Sequence, residues 1–439
     1  MVEFWVMGKI AVIGTGYVGL VSAVGFASLG HRVVGMDKDI EKVEKLKRGE
    51  LPFFEEGLED YLRSALESGK LEFTDDVSYA VEGSRYIFVA VNTPMDEDGS
   101  ADLTQLLEAG RNIARNLKNF SIIIIRSTAP IGSLEALERV FEVEGRRKGI
   151  DYELAYNPEF LREGTGIYDF LNPSRIVVGA DKKEIAEEIM SLYEKINAPK
   201  IITSIKDAQL IKYASNAFLA MRVSFINEIA GICEAMGADV FTVAEGIGLD
   251  PRIGRAYLQP GPGYSGPCLP KDLMALIRMA EENHYSAEFL EAIHKRNELQ
   301  KRRILWRVKE VLGGVLIGKT VSVLGLTFKP NTDDVRNSIS IPIITRLLKL
   351  GAKVKAYDPM GGDNARKIFE NVEIFQDPYS ALEGSDVVLI LTAWKDFRDI
   401  DWKKVRDSVK NPVIIDSVGV LRGLDMEGWK VWMVGRGYL

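Results

Sequence analysis

Cys268 is one of two cysteines in 439 residues, and it stands among glycines and prolines in "GPGYSGPCLPKD". Lys271 follows it by three residues and Asp272 by four, where the prolines give way to an apolar pattern that marks a helix start. A thiolate at a helix N-terminus beside an ammonium is favoured over the thiol, which is the setting of a nucleophile. The same loop would also house an inert cysteine. Cys233, within "NEIAGICEAMGA", reads instead as a small hydrophobe packed in a helix.

A second stretch bears on what such a nucleophile is for. "GTGYVG" follows the β-branched run Lys9–Ile13, opens an apolar stretch at helical spacing through Leu29, and is trailed by a strand, His31–Met36, that ends at Asp37. In that context Gly14 permits the tight turn, Gly16 lets a pyrophosphate approach the backbone, and Gly19 permits close helix packing, with the helix N-terminus facing the anion. Asp37 would bond the ribose hydroxyls and repel a 2′-phosphate, which favours NAD over NADP. The alternative is a glycine-rich turn with a purely structural role. NAD and a reactive thiol together suggest oxidation to a carboxylate: an aldehyde held as a thiohemiacetal loses a second hydride, and water opens the resulting thioester. That chemistry needs a base, an oxyanion partner and a positioned water. Two polar clusters offer them: "NPEFLRE", from Asn157 to Glu163 just after a strand, and "KYASN", in which Lys212 and Asn216 share a helix face one turn apart. Either cluster alone would pass for solvated surface.

The elements that must position these residues repeat along the chain. A chain of 439 residues is too long for one core, which stops growing near about 250–300 residues, so two or three domains are expected. Strand candidates Tyr86–Val91, Ser121–Ser127, Tyr152–Tyr156 and Arg175–Val178, with helical patterns between several of them, extend the first βαβ unit into a parallel, doubly wound sheet ending near Ser204. From Lys206 to about Gly248 the pattern is a long helix with apolar residues on more than one face, either a core helix or one buried by its own copy in a dimer. A second helical region runs from Lys271 to about Leu312. Strand Thr320–Leu324, helix Ile339–Leu350 and strand Lys353–Tyr357 then restate the opening order, and "FTDDVSYAVEGSRYIFVAV" (73–91) resembles "IFQDPYSALEGSDVVLILT" (374–392). The expected division is an α/β Rossmann domain that binds NAD over 1–204, a central helical region with the cysteine loop over 205–312, and a second Rossmann-like α/β domain over 313–439. The second domain has "GLTFKP" where the glycine fingerprint would stand, so no second NAD is expected there. Lys329 and Arg336 in "FKPNTDDVRNS" put cations where open sheets bind ligands, either for a phosphate-bearing substrate or as a solvated loop.

Composition excludes other classes. A net charge of −7 argues against nucleic acid as the main partner. No run approaches the roughly 18 apolar residues of a membrane span. The stretch "MVEFWVMGKIAVIG" carries Glu3 and no basic region, so no signal peptide is expected. Two cysteines and three scattered histidines, His31, His284 and His294, build neither a disulfide framework nor a His/Cys metal site, and a reducing cytoplasm is expected.

Taken in order, "GTGYVG", "FFEEGLEDYL", "VNTPMDEDGSADL", "STAPIGS", "NPEFLREG", "KYASNAFLAMRVSFINEIA", "GPCLPKD" and "GLTFKPNTDDVRNS" resemble the UDP-glucose/GDP-mannose dehydrogenase family over nearly the whole chain. That family oxidises the C6 alcohol of a nucleotide sugar to a carboxylate with two NAD. By position, the resemblance implies Cys268 as nucleophile, Asp272 as its companion in water activation and proton transfer, Lys212 and Asn216 as oxyanion partners, and Thr128 and Glu159 as holders of the water or as base. It implies cofactor contacts at Gly14, Gly16, Val18, Gly19, Asp37, Lys42, Thr93, Thr128, Glu163, Lys271 and Arg336. Implied substrate contacts are Glu159, Phe160, Leu161, Arg162, Glu163, Lys212, Asn216, Tyr257, Leu258, Gln259, Pro260, Gly261, Ser265 and Lys329. Arg252 in "LDPRIG" resembles a residue that reaches the sugar nucleotide of the partner subunit, and the family's dimer is built on the long central helix, so a homodimer is expected. Within the family the motifs lean to UDP-glucose, with GDP-mannose or an N-acetylated UDP-sugar as rivals; a single-step 3-hydroxyacid-type dehydrogenase is the rival outside it. Two segments depart from the family's pattern. The cysteine loop, usually "GFGGSC", is "GYSGPC" here, so Ser265 adds a side chain and Pro267 removes an N–H, both expected to bear on sugar preference. "IIDSVGVLRG" lacks the usual Asp-x-Arg-Asn.

Overall fold

In a computed structural model, which describes residues 8–438, the apolar runs become two sheets. The lead-in over residues 1–7 lies outside the described residues. The chain folds as two compact units, the first ending at Ser215 and the second starting at Asn216.

The first unit holds β1 (Lys9–Ile13), β2 (Val33–Met36), β3 (Leu71–Thr74), β4 (Ser84–Val89), β5 (Ser121–Ile125), β6 (Tyr152–Tyr156), β7 (Ile176–Ala180) and β8 (Lys200–Thr203), in the spatial order β3-β2-β1-β4-β5-β6-β7-β8. Strands such as "SIIII" are apolar at every position because both faces are covered. Ile10, Val12, Phe88, Ile122 and Ile124 pack on one face with Leu20 and Val24, while Ala11, Ile87, Val89 and Ile123 pack on the other with Ile113 and Leu137. The order reverses between β1 and β4, which opens a crevice at their carboxyl ends. Strands expected to run to Val91 and Ser127 stop at Val89 and Ile125, and the loops beyond them are tied across the crevice. Ser127 Oγ donates to the Val91 carbonyl at 2.6 Å and Thr93 Oγ1 to the Thr128 carbonyl at 2.7 Å. The strand expected over His31–Met36 is confined to Val33–Met36, and that over Arg175–Val178 shifts to Ile176–Ala180. The sheet is not wholly parallel as expected: β7 pairs antiparallel with β6. The connection between them carries the short helix Gly166–Leu171, whose Phe170 seats on Gly25 so closely that a Cβ there would lie 2.3 Å from the ring.

The second unit repeats the order with β9 (Thr320–Leu324), β10 (Lys353–Tyr357), β11 (Glu373–Ile374), β12 (Val387–Ile390), β13 (Val413–Asp416), β14 (Lys430–Met433) and an antiparallel β15 (Gly437–Tyr438), arranged β11-β10-β9-β12-β13-β14-β15. Both units therefore carry the doubly wound Rossmann strand order.

The central helices are more broken than the periodicity suggested. The long helix spans Ile205–Met236 and stops at Gly237, whose φ is +72°, and a separate helix, Val240–Gly248, starts where Asp239 accepts from the Phe241 amide at 2.9 Å. The region expected as one stretch from Lys271 to Leu312 is two helices, Leu269–Glu282 and Glu288–Val311. Between them His284 takes the left-handed conformation usually filled by glycine, and the amides of His284 and Tyr285 close back on the Glu281 and Ala280 carbonyls. Among the described residues no helix is long and apolar enough to cross a membrane.

Candidate functional site

The glycine turn sits at the crevice of the first sheet. Gly14 has φ +91° and a Cβ there would lie 2.8 Å from the Ala90 carbonyl oxygen; one on Gly19 would collide with the Gly14 carbonyl. Those two glycines serve the turn itself. A Cβ on Gly16 would meet nothing within 4 Å, so at the cap of helix Tyr17–Ser28 the missing side chain leaves open space in front of the helix N-terminus. That space, with no side-chain cap on the helix, is what a pyrophosphate needs. Asp37 ends the next strand and receives the Thr15 amide at 2.9 Å and the Lys42 ammonium at 2.9 Å. Burial alone would push its carboxyl up, but Lys42 and the amides of Asp39 and Thr15 hold it below the usual carboxylate range. The residues present fit NAD, with a fixed anion where the adenosine ribose would be read.

In the second unit Gly325, φ +96°, also leaves its strand at the crevice, but Thr327 stands where Gly16 stood. Asp358, at the end of β10, is closed over by the amides of Leu326, Thr327, Met360 and Gly361 and by the Trp394 indole at 3.1 Å. No helix follows that turn directly; the next one starts at Ser340. The phosphate cradle of the first unit is not repeated. Lys329 lies 5.5 Å from the Phe328 ring, and Arg336 is exposed and bonded to Asp334 at 2.6 Å.

Within the first unit, Glu159 and Lys212 form a buried ion pair. Lys212 Nζ donates to Glu159 Oε1 at 2.8 Å and to the Glu159 carbonyl at 2.7 Å, and the Leu161 amide donates to Oε2 at 2.6 Å. Burial by itself pushes the Glu159 carboxyl up; the Lys212 ammonium, the Leu161 amide and Arg126 override it and hold the carboxyl below its ordinary range. Phe160 lies beneath the Arg175 guanidinium at 3.6 Å, and Arg162 pairs with Asp169 at 2.6 Å. Leu161 and Glu163 are half-buried, as is Val18 in the turn.

Supporting residues here were not singled out from sequence. Buried Glu55 accepts the Gly164 amide at 2.7 Å and also the Gly166 amide, while the Tyr17 hydroxyl donates to the Arg162 carbonyl at 2.8 Å. Burial and the Glu55 carboxylate push the Tyr17 phenol up, so it stays a donor. Arg126, also buried, bonds Ser22 at 2.7 Å and Asn157 at 2.7 Å. The signal for Glu55 was an acid among apolar residues in "FFEEGL".

Within the second unit, Cys268 is exposed and occupies the N-cap of helix Leu269–Glu282, with Pro270 in the first turn. The Asp272 amide donates to the Cys268 carbonyl at 3.0 Å, which sets the carboxylate one turn into the helix. Asp272 is 1% exposed; it accepts from Asn216 Nδ2 at 2.5 Å and from Lys271 Nζ at 2.6 Å. Lys271 thus bonds the carboxylate that follows it. Gly261, Leu258 and Pro260 are buried, Ser265 is half-buried, and Tyr257, Gln259 and Arg252 are exposed, Tyr257 with φ +60° and Arg252 bonded to Asp250 at 2.6 Å. Among the described residues there is no group of His, Cys, Asp and Glu arranged to hold a metal.

Known proteins share this plan. Residues 8–197 match the NAD binding domain of the UDP-glucose/GDP-mannose dehydrogenase family, 206–299 its central domain and 322–423 its UDP binding domain. The chain is 43% identical to a UDP-glucose 6-dehydrogenase of Rhizobium meliloti (strain 1021), across 98% of this chain and 99% of the relative. It is 43% identical to a UDP-glucose 6-dehydrogenase of Bacillus subtilis (strain 168), across 98% and 94%. A solved UDP-glucose dehydrogenase from the hyperthermophilic archaeon Pyrobaculum islandicum is similar with a TM-score of 0.89 at 39% identity, covering 95% of this chain and 96% of that one. With an NAD-fitting turn in one unit, a cysteine at a helix N-cap one turn before a buried carboxylate in the other, and these matches along nearly its whole length, the chain belongs to the UDP-glucose/GDP-mannose dehydrogenase family.

Proposed function

We propose that this chain oxidises the C6 alcohol of UDP-glucose to the carboxylate of UDP-glucuronate in two successive two-electron steps, with Cys268 as nucleophile. The names of its relatives support the substrate. The observation that carries the thiol chemistry is Asp272, buried between Asn216 and Lys271 one helical turn from Cys268. When bound, NAD would supply the hydride acceptor, one NAD for each of the two oxidations. In the first, the C6 hydroxyl gives its proton to a water held by Thr128 and Glu159, while Lys212 and Asn216 stabilise the developing oxyanion. Cys268 Sγ then bonds the aldehyde carbon, whose oxygen takes the proton that the thiol gives up, giving a thiohemiacetal. Loss of the second hydride, with the thiohemiacetal hydroxyl proton passing to water, leaves a thioester; Asp272 draws a proton from the water that attacks it and returns it to the sulfur as the C–S bond breaks, so the acid leaves with the thiol restored. Arg336, Lys271 and Glu163 complete the cofactor contacts, and Lys329, the glycine loop and residues 257–261 hold the nucleotide sugar. Measuring NADH formed per nucleotide sugar consumed tests the reading: two per UDP-glucose is expected. A ratio of one, or turnover confined to GDP-mannose or an N-acetylated UDP-sugar, would overturn it.

The working form is a homodimer in the cytoplasm, divided as 1–204, 205–312 and 313–439, a division supported by the family matches. Two cysteines in 439 residues build no disulfide framework, which suits a reducing compartment. On the long helix, Phe218, Phe225 and Ile232 are 55%, 47% and 46% exposed. A spacing of seven residues is close to two helical turns, so these side chains line one stripe that a second copy would cover. The double variant Phe218→Glu, Phe225→Glu should sediment at half the parent's mass; a monomeric parent, or a variant of unchanged mass, contradicts the dimer.

A further inference from the structure

We infer that Asn227, Asn297 and Gln300 are positioning residues that fix the cysteine loop and thereby the placement of Cys268, an inference that rests on Cys268 being the nucleophile. The peptide groups of Gly261 and Tyr264 are satisfied by side-chain amides rather than by a backbone ladder. The Gly261 amide donates to Asn227 Oδ1 at 2.8 Å, and its carbonyl accepts from Gln300 Nε2 at 2.8 Å. The Tyr264 amide donates to Asn297 Oδ1 at 2.8 Å, and its carbonyl accepts from Asn297 Nδ2 at 3.0 Å. All three amide side chains are almost wholly buried, at 1%, 2% and 0% exposure.

A buried loop with unpaired peptide groups is costly, and a buried amide side chain is itself costly unless bonded, so for Asn297 and Gln300 each half of this arrangement makes sense only with the other, whereas Asn227 serves through its Oδ1 alone and leaves Nδ2 unpaired. Asn297 and Gln300 are three apart on helix Glu288–Val311, hence on one face, between the apolar core residues Ile293 and Ile304. Apolar side chains would pack that face without needing partners; amides there hold something in register. The loop has adapted to them. Gly263, at φ +120°, would with a Cβ sit 2.5 Å from Asn297 Oδ1, so only glycine lets the amide close in. The clamp ends four residues before Cys268, and the Gly266 amide, bonded to the Asn337 carbonyl at 3.0 Å, carries the restraint up to Pro267. The clamped peptides thus lead directly into the residue that caps the thiol's helix.

The variants Asn297→Asp and Gln300→Glu keep size and the acceptor oxygen while removing the N–H that each gives to a loop carbonyl. Two measurements on the full-length protein decide the matter: hydrogen exchange of peptides spanning 261–268 against the rest of the chain, and steady-state kinetics with NAD and UDP-glucose. In either variant, exchange in the loop should rise about tenfold with the flanking helices unchanged. In the same variant kcat should fall about tenfold or more while KM for NAD stays within about twofold, because a displacement near 1 Å at a reacting group is enough. Unchanged loop exchange overturns the inference, as does a loosened loop with parental kcat. So does exchange that rises throughout the chain with kcat and KM for NAD worsening together, the mark of a merely structural role. A parent inactive on every nucleotide sugar would sink the proposed function instead, and the exchange comparison would still decide whether the amides hold the loop.

Discussion

Replacing Cys268 by serine is expected to lower sustained oxidation of UDP-glucose by about a thousandfold or more, since a hydroxyl at that position is a far weaker nucleophile and a poorer leaving group than the thiol. The same substitution at Cys233 should leave turnover within about twofold, because it touches packing and not the reacting atoms. Cys233 is buried in the core of the second unit, and burial, with Asp239 and Glu234 nearby, pushes its thiol up and away from the reactive form. Its serine variant should lose stability only, by about 1–3 kcal/mol, the cost of burying an unsatisfied hydroxyl. Initial rates of NADH formation for both variants, read beside their thermal midpoints, separate the two effects. Equal loss of activity in both would place the nucleophile elsewhere.

Lys212→Met should be the other severe variant. The ammonium is 4% exposed and bonds both the carboxylate and the carbonyl of Glu159, so its removal leaves a buried carboxyl with the Leu161 amide and Arg126 but no ion-pair partner. Breaking a buried pair by removing one partner costs about 3–5 kcal/mol of stability. On the oxyanion role proposed for Lys212, its loss should lower kcat by about 100-fold to 1,000-fold. The sign of the pH dependence follows from the direction of the Glu159 shift. With Lys212 in place that carboxyl is held below its ordinary range, so the pair's contribution is present above the unfolded-state pKa and fades as pH falls through the depressed folded value. Without Lys212, burial pushes the carboxyl up, and the penalty is felt near neutrality. Denaturant unfolding of parent and variant should therefore show a gap that is widest near neutral pH and narrows in mild acid. A gap that is constant or widens in acid contradicts the pairing.

What was legible in the sequence was local. The glycine spacing, the strand before it and Asp37 after it lie within a single βαβ unit, and the Thr15 and Lys42 bonds to Asp37 span 22 and 5 residues. The start of the thiol helix was legible because prolines and an acid in the first turn mark helix entry wherever they occur. What was not legible joins distant segments or breaks a local rule. Glu55 reaches the Gly164 amide across 109 residues, and nothing local in "FFEEGL" says so. Asn297 and Gln300 look like solvent-facing amides until the loop 33 and 39 residues upstream is seen to bond them. The helix end at His284 was hidden because a non-glycine residue takes a glycine conformation there. The edge strand β8, with Ile201 and Ile202 each 38% exposed, lacks the fully buried pattern that marked strands such as β5, and β3, β11, β13, β14 and β15 were likewise not expected. The antiparallel pairing of β7 with β6 joins strands separated by a helix-bearing connection, and no periodicity encodes the direction of re-entry.

With Cys268 as nucleophile, its Sγ is bonded to the substrate's C6 carbon during turnover. The most direct test of that bond is mass spectrometry of the peptide bearing Cys268, taken from protein quenched in acid during turnover of UDP-glucose with NAD, with Asp272→Asn used to slow hydrolysis. A UDP-glucuronyl thioester is expected on Cys268, absent from Cys233 and absent without NAD. Full turnover by the parent with no adduct on Cys268 in either protein, or an adduct on another residue, would contradict it.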